Sequence, residues 1–161
     1  MSADFDAMTA VELREKIARR EVSPVEVARR ALEKAEATQS SLNAFFLLMP
    51  DQAMAAARAA ERAAMRGDPL GLLHGVPFSA KDLIAVGGER FAFGSRCMAE
   101  NVAPADAPSV ERAKAAGGIL IGKTTTSEFG CKAVGDSPLT GVTRNPWNLG
   151  KTPGGSSAGA A

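Results

Sequence analysis

Through the first third of the chain, apolar residues return every three to four positions. Ala10, Leu13 and Ile17 fall at helical spacing behind Thr9, whose short hydroxyl side chain suits a helix cap, so the pattern predicts a helix from Thr9 to about Arg20. Ser23-Pro24 then opens a second helix with an apolar stripe of Val27, Ala31, Leu32 and Ala35. The pattern changes at Asn43. The run to Leu48 is short, continuous and apolar, which predicts a buried strand, and Asp51 stands where it would cap the alanine-rich helix 52–66.

Leu72 to Ala80 reads as a turn feeding a second buried strand, with Lys81-Asp82 at its far end. Asp106 to Ala116 predicts a short helix, from the capping Asp or Ser, the early Pro108 and the closing Gly117-Gly118. Ile119-Leu120-Ile121 follows as a fully buried strand, and Thr124 to Pro153, rich in Gly, Pro, Asn and Thr, reads as ordered loop. Strand, helix, strand is the alternation of an α/β fold, here a mixed sheet flanked by helices with at least some parallel pairing. Neither repeat nor linker divides the chain, so one domain over 1–161 is expected, with a mainly helical region at 1–66 and an α/β core segment at 67–161.

Composition narrows the chemistry. A length of 161 residues with 45% hydrophobic content is enough for a core, and 19 basic residues against 18 acidic ones leave no charged stripe for nucleic acid. Direct nucleic-acid binding is therefore not expected. Cys97 and Cys131 form no CxxC, and His74 is the single histidine, so neither a disulfide framework nor a zinc site is expected, and a reducing cytoplasm is the simplest home. No run approaches the ~20 apolar residues of a membrane span. His74 is expected to pack or hydrogen-bond, and Cys131 to be a small buried residue. Arg58, Arg62 and Arg66 recur four apart, as on a solvated helix face.

Three patterns compete for a functional site. Gly117 to Thr124 spells G-x-x-x-x-G-K-T, the phosphate-binding loop, yet its middle positions hold Ile-Leu-Ile, which favours a strand followed by a surface turn over a backbone cradle for phosphate. Gly155-Ser156-Ser157-Ala158-Gly159 spells the nucleophile elbow with Ser157 as nucleophile, but Pro, Gly and Lys precede it where a strand is required, and the one histidine lies upstream. The third reading joins Lys81 to Ser156 and Ser157. A lysine serves as a base when burial lowers its pKa from about 10.4, and the Pro-Gly-Gly prelude gives the backbone freedom to approach a ligand. Against it stands the plainer reading of Ser156 as the cap of a helix beginning near Ala158 and of Lys81 as an ordinary strand-end lysine.

GLLHGVPFSAKDL, GGILIGKTTTSEFG and GVTRNPWNLGKTPGGSSAG, in that order, resemble the leading part of the amidase signature enzymes, over essentially the whole chain. The resemblance implies an amide hydrolase acting on small-molecule amides through a Ser-cisSer-Lys triad, without metal or organic cofactor. Lys81 is similar to the family's catalytic lysine and Ser156 to the serine that follows a cis peptide bond and relays a proton. Ser157 is similar to a supporting serine, and the backbone at Gly130 and Cys131 resembles a stretch that contacts substrate. Ala158 stands where glycine is more usual. The family's second glycine-serine signature, with its nucleophile and oxyanion donors, is expected beyond Ala161, so the chain alone is expected to be an incomplete domain with no turnover. A sheet lacking later strands leaves homo-oligomer formation open. A non-catalytic remnant or binding module is the alternative, with nucleotide binding behind it.

Overall fold

In the computed structural model, which describes residues 5–161, helix α1 spans Ala10–Ala18 and starts on a reciprocal cap. Thr9 Oγ1 accepts the Glu12 N–H at 3.2 Å, and the Glu12 carboxylate accepts the Thr9 N–H at 2.8 Å. Residues 1–4 of the expected helical region lie outside the described residues. Helix α2 spans Pro24–Leu42, its entry held by Ser23 Oγ, which accepts the N–H groups of Val25 and Glu26. Its buried stripe is Val27, Ala28, Leu32 and Ala35, with Ala31 only half-buried.

Strand β1 covers Phe45–Leu48 and helix α3 covers Pro50–Arg66. Asp51 does not cap α3: Met49 holds the cap position without a side-chain bond, and Pro50 opens the helix because its fixed φ is already helical and it has no N–H to satisfy. Ala53, Ala57, Ala60 and Ala64 form the buried face of α3, while Arg58, Arg62 and Arg66 are exposed, as on a solvated face. Strand β2 follows at Pro77–Lys81, helix α4 at Pro108–Ala115 and strand β3 at Ile119–Thr124. A two-stranded ribbon, β4 at Asp136–Ser137 and β5 at Gly141–Val142, lies within the segment expected to be loop.

The sheet order β1-β3-β2 places β3 at the centre. It runs antiparallel to β1, with Leu47 opposite Lys123 and Leu48 opposite Gly122. Toward β2 the pairing is parallel: Ile119 N–H donates to Val76 O, and Asp82 N–H donates to Thr124 O, so both strands advance together. The sheet is thus mixed, as the strand, helix, strand alternation requires. Central position explains why all six β3 residues are buried, whereas β1 and β2, expected to be buried, are largely half-covered, with Ser79 exposed.

The chain divides into two compact units. One comprises Met1–Glu33, Met49–Phe78 and Arg112–Ile121. In it Leu13, Ile17, Val22 and Val27 form a core against which Phe5 and Met8 pack. His74 is buried and structural, donating from Nε2 to Ala60 O at 3.0 Å, and Gly117 lies so close to it that a Cβ would sit 2.8 Å from His74 Cα. The other unit comprises Lys34–Leu48, Ser79–Glu111 and Gly122–Ala161. It contains every residue that the sequence singles out for catalysis or substrate contact.

Candidate active site

Lys81 is the last residue of β2, and the backbone on either side of it is fixed. Its carbonyl accepts the Ile84 N–H at 2.8 Å, and the next residue's N–H reaches Thr124 O at 3.0 Å. The side chain, half-buried, donates from Nζ to Ser156 Oγ at 2.7 Å. Burial pushes the Lys81 pKa below the ordinary lysine value, because an ammonium loses hydration that the neutral amine does not need. Once neutral, an amine so placed beside a hydroxyl can accept its proton.

Ser156 is presented by a loop with two glycines, one set by close packing and the other by its backbone conformation. The Gly155–Ser156 peptide bond is cis. A Cβ on Gly155 would lie 2.6 Å from Val134 N, and Gly154 has φ +95°, a region open to glycine and strained for other residues. Thr152 Oγ1 holds the loop by accepting the N–H groups of Gly135 and Gly154. Farther on, Ala158 is buried and the Gly159 backbone presses against Ala44 O and Thr125, where any side chain would collide. The residues at 149–155 are turns and irregular backbone, so the strand that a nucleophile elbow demands before Ser157 is not there.

The other sequence candidates fall at different distances from this pair. Gly130, at φ +68°, stands next to Ser156: a Cβ there would lie 3.5 Å from Ser156 Oγ. Cys131 is exposed rather than buried, because it ends the short turn Glu128–Gly130, where its thiol donates to Glu128 O at 2.9 Å. Ser157 is exposed, and its carbonyl accepts the N–H groups of Ala160 and Ala161 at 3.1 Å. No hydrogen bond joins its hydroxyl to Lys81 or Ser156 among the described residues. No group of three or more His, Cys, Asp or Glu side chains suited to a metal ion occurs among the described residues, and none of their helices is long and apolar enough to cross a membrane.

Sequence reasoning missed two charged residues. Lys123, expected at the start of a surface turn, is fully buried in β3, and its Nζ lies 2.7 Å from the carboxylate of Asp82, which is 1% exposed. This also removes the phosphate-loop reading, since the Lys that would reach a phosphate is locked inside a strand. Burial lowers the Lys123 pKa while the hydrogen bond to Asp82 opposes that shift. A signal existed: Asp82 directly follows the strand run that ends in Lys81, and Lys123 directly follows the strand run Ile119-Leu120-Ile121-Gly122. Charges at such positions are buried only when they find each other.

Residues 26–161 match the family model described as amidase. The chain is 42% identical over 154 residues to a glutamyl-tRNA(Gln) amidotransferase protein of Geobacter sulfurreducens, covering 96% of this chain and 32% of that protein. It is 40% identical to an acylamidase of Rhodococcus erythropolis, with the same coverage. Among solved structures, a bacterial aryl acylamidase of the amidase signature enzymes superposes with a TM-score of 0.90 at 32% identity, over 95% of this chain and 32% of that one. The chain thus spans about a third of the length of the curated relatives it matches.

Proposed function

The chain belongs to the amidase signature family, and from that premise we propose that its protein cleaves the C–N bond of small-molecule amides, with Lys81 as base and Ser156 as proton relay. The observation that carries this reading is the 2.7 Å hydrogen bond between Lys81 Nζ and Ser156 Oγ. The uncharged Lys81 amine takes the proton of the Ser156 hydroxyl as Ser156 takes one from a nucleophilic serine outside residues 1–161. That serine attacks the amide carbon, and the departing amine leaves with the proton returned through Ser156. Water then releases the acyl group by the same relay. Gly130 and Cys131 border the substrate in this scheme, and Ser157 supports the loop. The free thiols of Cys97 and Cys131 support a cytoplasmic setting.

Hydrolysis of simple aliphatic and aryl amides by the whole protein, compared with Lys81→Ala and Ser156→Ala, tests the assignment. Both substitutions are expected to abolish most of the turnover; robust hydrolysis surviving in both variants overturns it. A second reading, transfer of the released amide nitrogen to an acceptor, is favoured by the 42% identity to an amidotransferase protein and uses the same first step. Free ammonia as the final product separates hydrolysis from transfer.

A further inference from the structure

We propose that the buried Asp82–Lys123 pair is the positioning element of the site, one carboxylate that fixes both the lysine on one side of Ser156 and the turn on the other. This rests on the reading of Lys81 and Ser156 as the proton-transfer pair. Lys123 is completely enclosed, and its ammonium is met by Asp82 Oδ1 at 2.7 Å, by Arg90 O at 2.5 Å, and by the rings of Phe91 and Phe46 with centroids 4.9 and 5.8 Å away. A buried ion pair is a poor way to gain stability, since desolvation offsets the attraction and an apolar pair of similar volume does as well. What the carboxylate adds is direction.

Asp82 directs two structures. Its main chain continues from Lys81, its N–H is anchored on Thr124 O, and the Lys81 carbonyl accepts the Ile84 N–H, so the Asp82 carboxylate adds a third tie to the point at which Lys81 leaves the sheet. Its two carboxylate oxygens accept the N–H groups of Ala92 and Gly94 at 3.2 Å each. Between them Phe93 is held at φ +55°, and its carbonyl accepts the Phe129 N–H at 2.8 Å. Phe129 and Gly130, at φ +49° and +68°, then carry the backbone past Ser156 Oγ. A non-glycine residue stays in that region only when its surroundings hold it there. The line of contacts from Lys123 through Asp82 therefore ends on both flanks of one hydroxyl.

The test reads the scaffold rather than turnover. Asp82→Asn combined with Lys123→Met removes both charges together, so no bare charge is left to act on Lys81 through space. In the whole protein carrying 13Cε-lysine, the Lys81 titration midpoint is followed by NMR in the wild type, in this double variant and in Val86→Ala, a truncation of a buried side chain that makes none of these hydrogen bonds. The expected result is an upward shift of about one pKa unit in the double variant, as the loosened amine regains water, and none in Val86→Ala. An unmoved midpoint in the double variant, or an equal shift in Val86→Ala, overturns the proposal. Should the double variant fail to fold, amide exchange in the unmodified protein decides: the Ala92, Gly94 and Phe129 N–H groups are expected to share one opening free energy, and independent exchange of Phe129 overturns the coupling. Neither measurement uses substrate, so a protein that shows the coupling but hydrolyses amides without Lys81 and Ser156 loses the proposed function alone.

Discussion

Lys81 Nζ and Ser156 Oγ, separated by 75 residues of sequence, meet at 2.7 Å as donor and acceptor. Groups that pass one proton act as a unit, so their removal is not additive. Lys81→Met and Ser156→Ala are each expected to lower amide turnover by about 10²–10⁴-fold, and the double variant to be no slower than the worse single one. Steady-state rates for the four proteins of the cycle check this, and multiplicative losses would show that the two groups act separately.

The lowered pKa of Lys81 has a consequence for stability with a definite sign. Its folded pKa lies below the ordinary lysine value because of burial, so between the two values the unfolded chain binds more protons than the folded one. Stability contributed by this group therefore rises with pH through that window, and the unfavourable contribution is complete below the folded pKa. Relative to Lys81→Met, the wild type is expected to gain stability as pH is raised toward the ordinary lysine value. Urea unfolding of both proteins at neutral and alkaline pH measures it; a wild-type stability that, relative to Lys81→Met, stays constant or falls as pH rises contradicts the burial argument.

Breaking the Asp82–Lys123 pair from one side leaves a bare charge in a site where both residues are sealed from water. Lys123→Met alone is expected to destabilise the protein by about 3–5 kcal/mol. Adding Asp82→Asn removes the unpaired charge but leaves one of the two N–H groups of Ala92 and Gly94 facing an amide donor, so only part of that loss should be recovered. Denaturant midpoints of the single and double variants test this, and a double variant no more stable than Lys123→Met would mean that packing rather than charge dominates there.

Much of this was readable from periodicity. Leu13 and Ile17 sit in the core because the 3.6-residue repeat puts them on one face, and Thr9 announces the start of α1. Lys81 and Ser156 were legible as a pair only through the motifs around them, since nothing in spacing alone brings residues so far apart in sequence together. Where the reading failed, a tertiary partner or a neighbouring backbone decided. Lys123 reads as exposed until Asp82 is known to face it. Cys131 reads as a small core residue until the turn at Glu128–Gly130 carries it to the surface. Asp51 has the chemistry of a cap, but Pro50 preceded it and took the first helical position.

The consecutive glycines before Ser156 separate two reasons for glycine. Gly154 has φ +95° with nothing within 4 Å of where a Cβ would stand, so Gly154→Ala meets only backbone strain, about 1–2 kcal/mol. At Gly155 a Cβ would lie 2.6 Å from Val134 N and 2.7 Å from Val134 O, main-chain atoms that cannot swing aside as a side chain end would. Gly155→Ala must therefore move either the Val134 backbone or the loop that carries Ser156. Both variants are expected to lose stability, but only Gly155→Ala should also shift the Lys81 titration midpoint, because only it displaces the hydroxyl that Lys81 touches. Thermal unfolding paired with 13Cε-lysine NMR distinguishes them; equal midpoints for Lys81 in the two variants would mean that the loop absorbs the clash without moving Ser156.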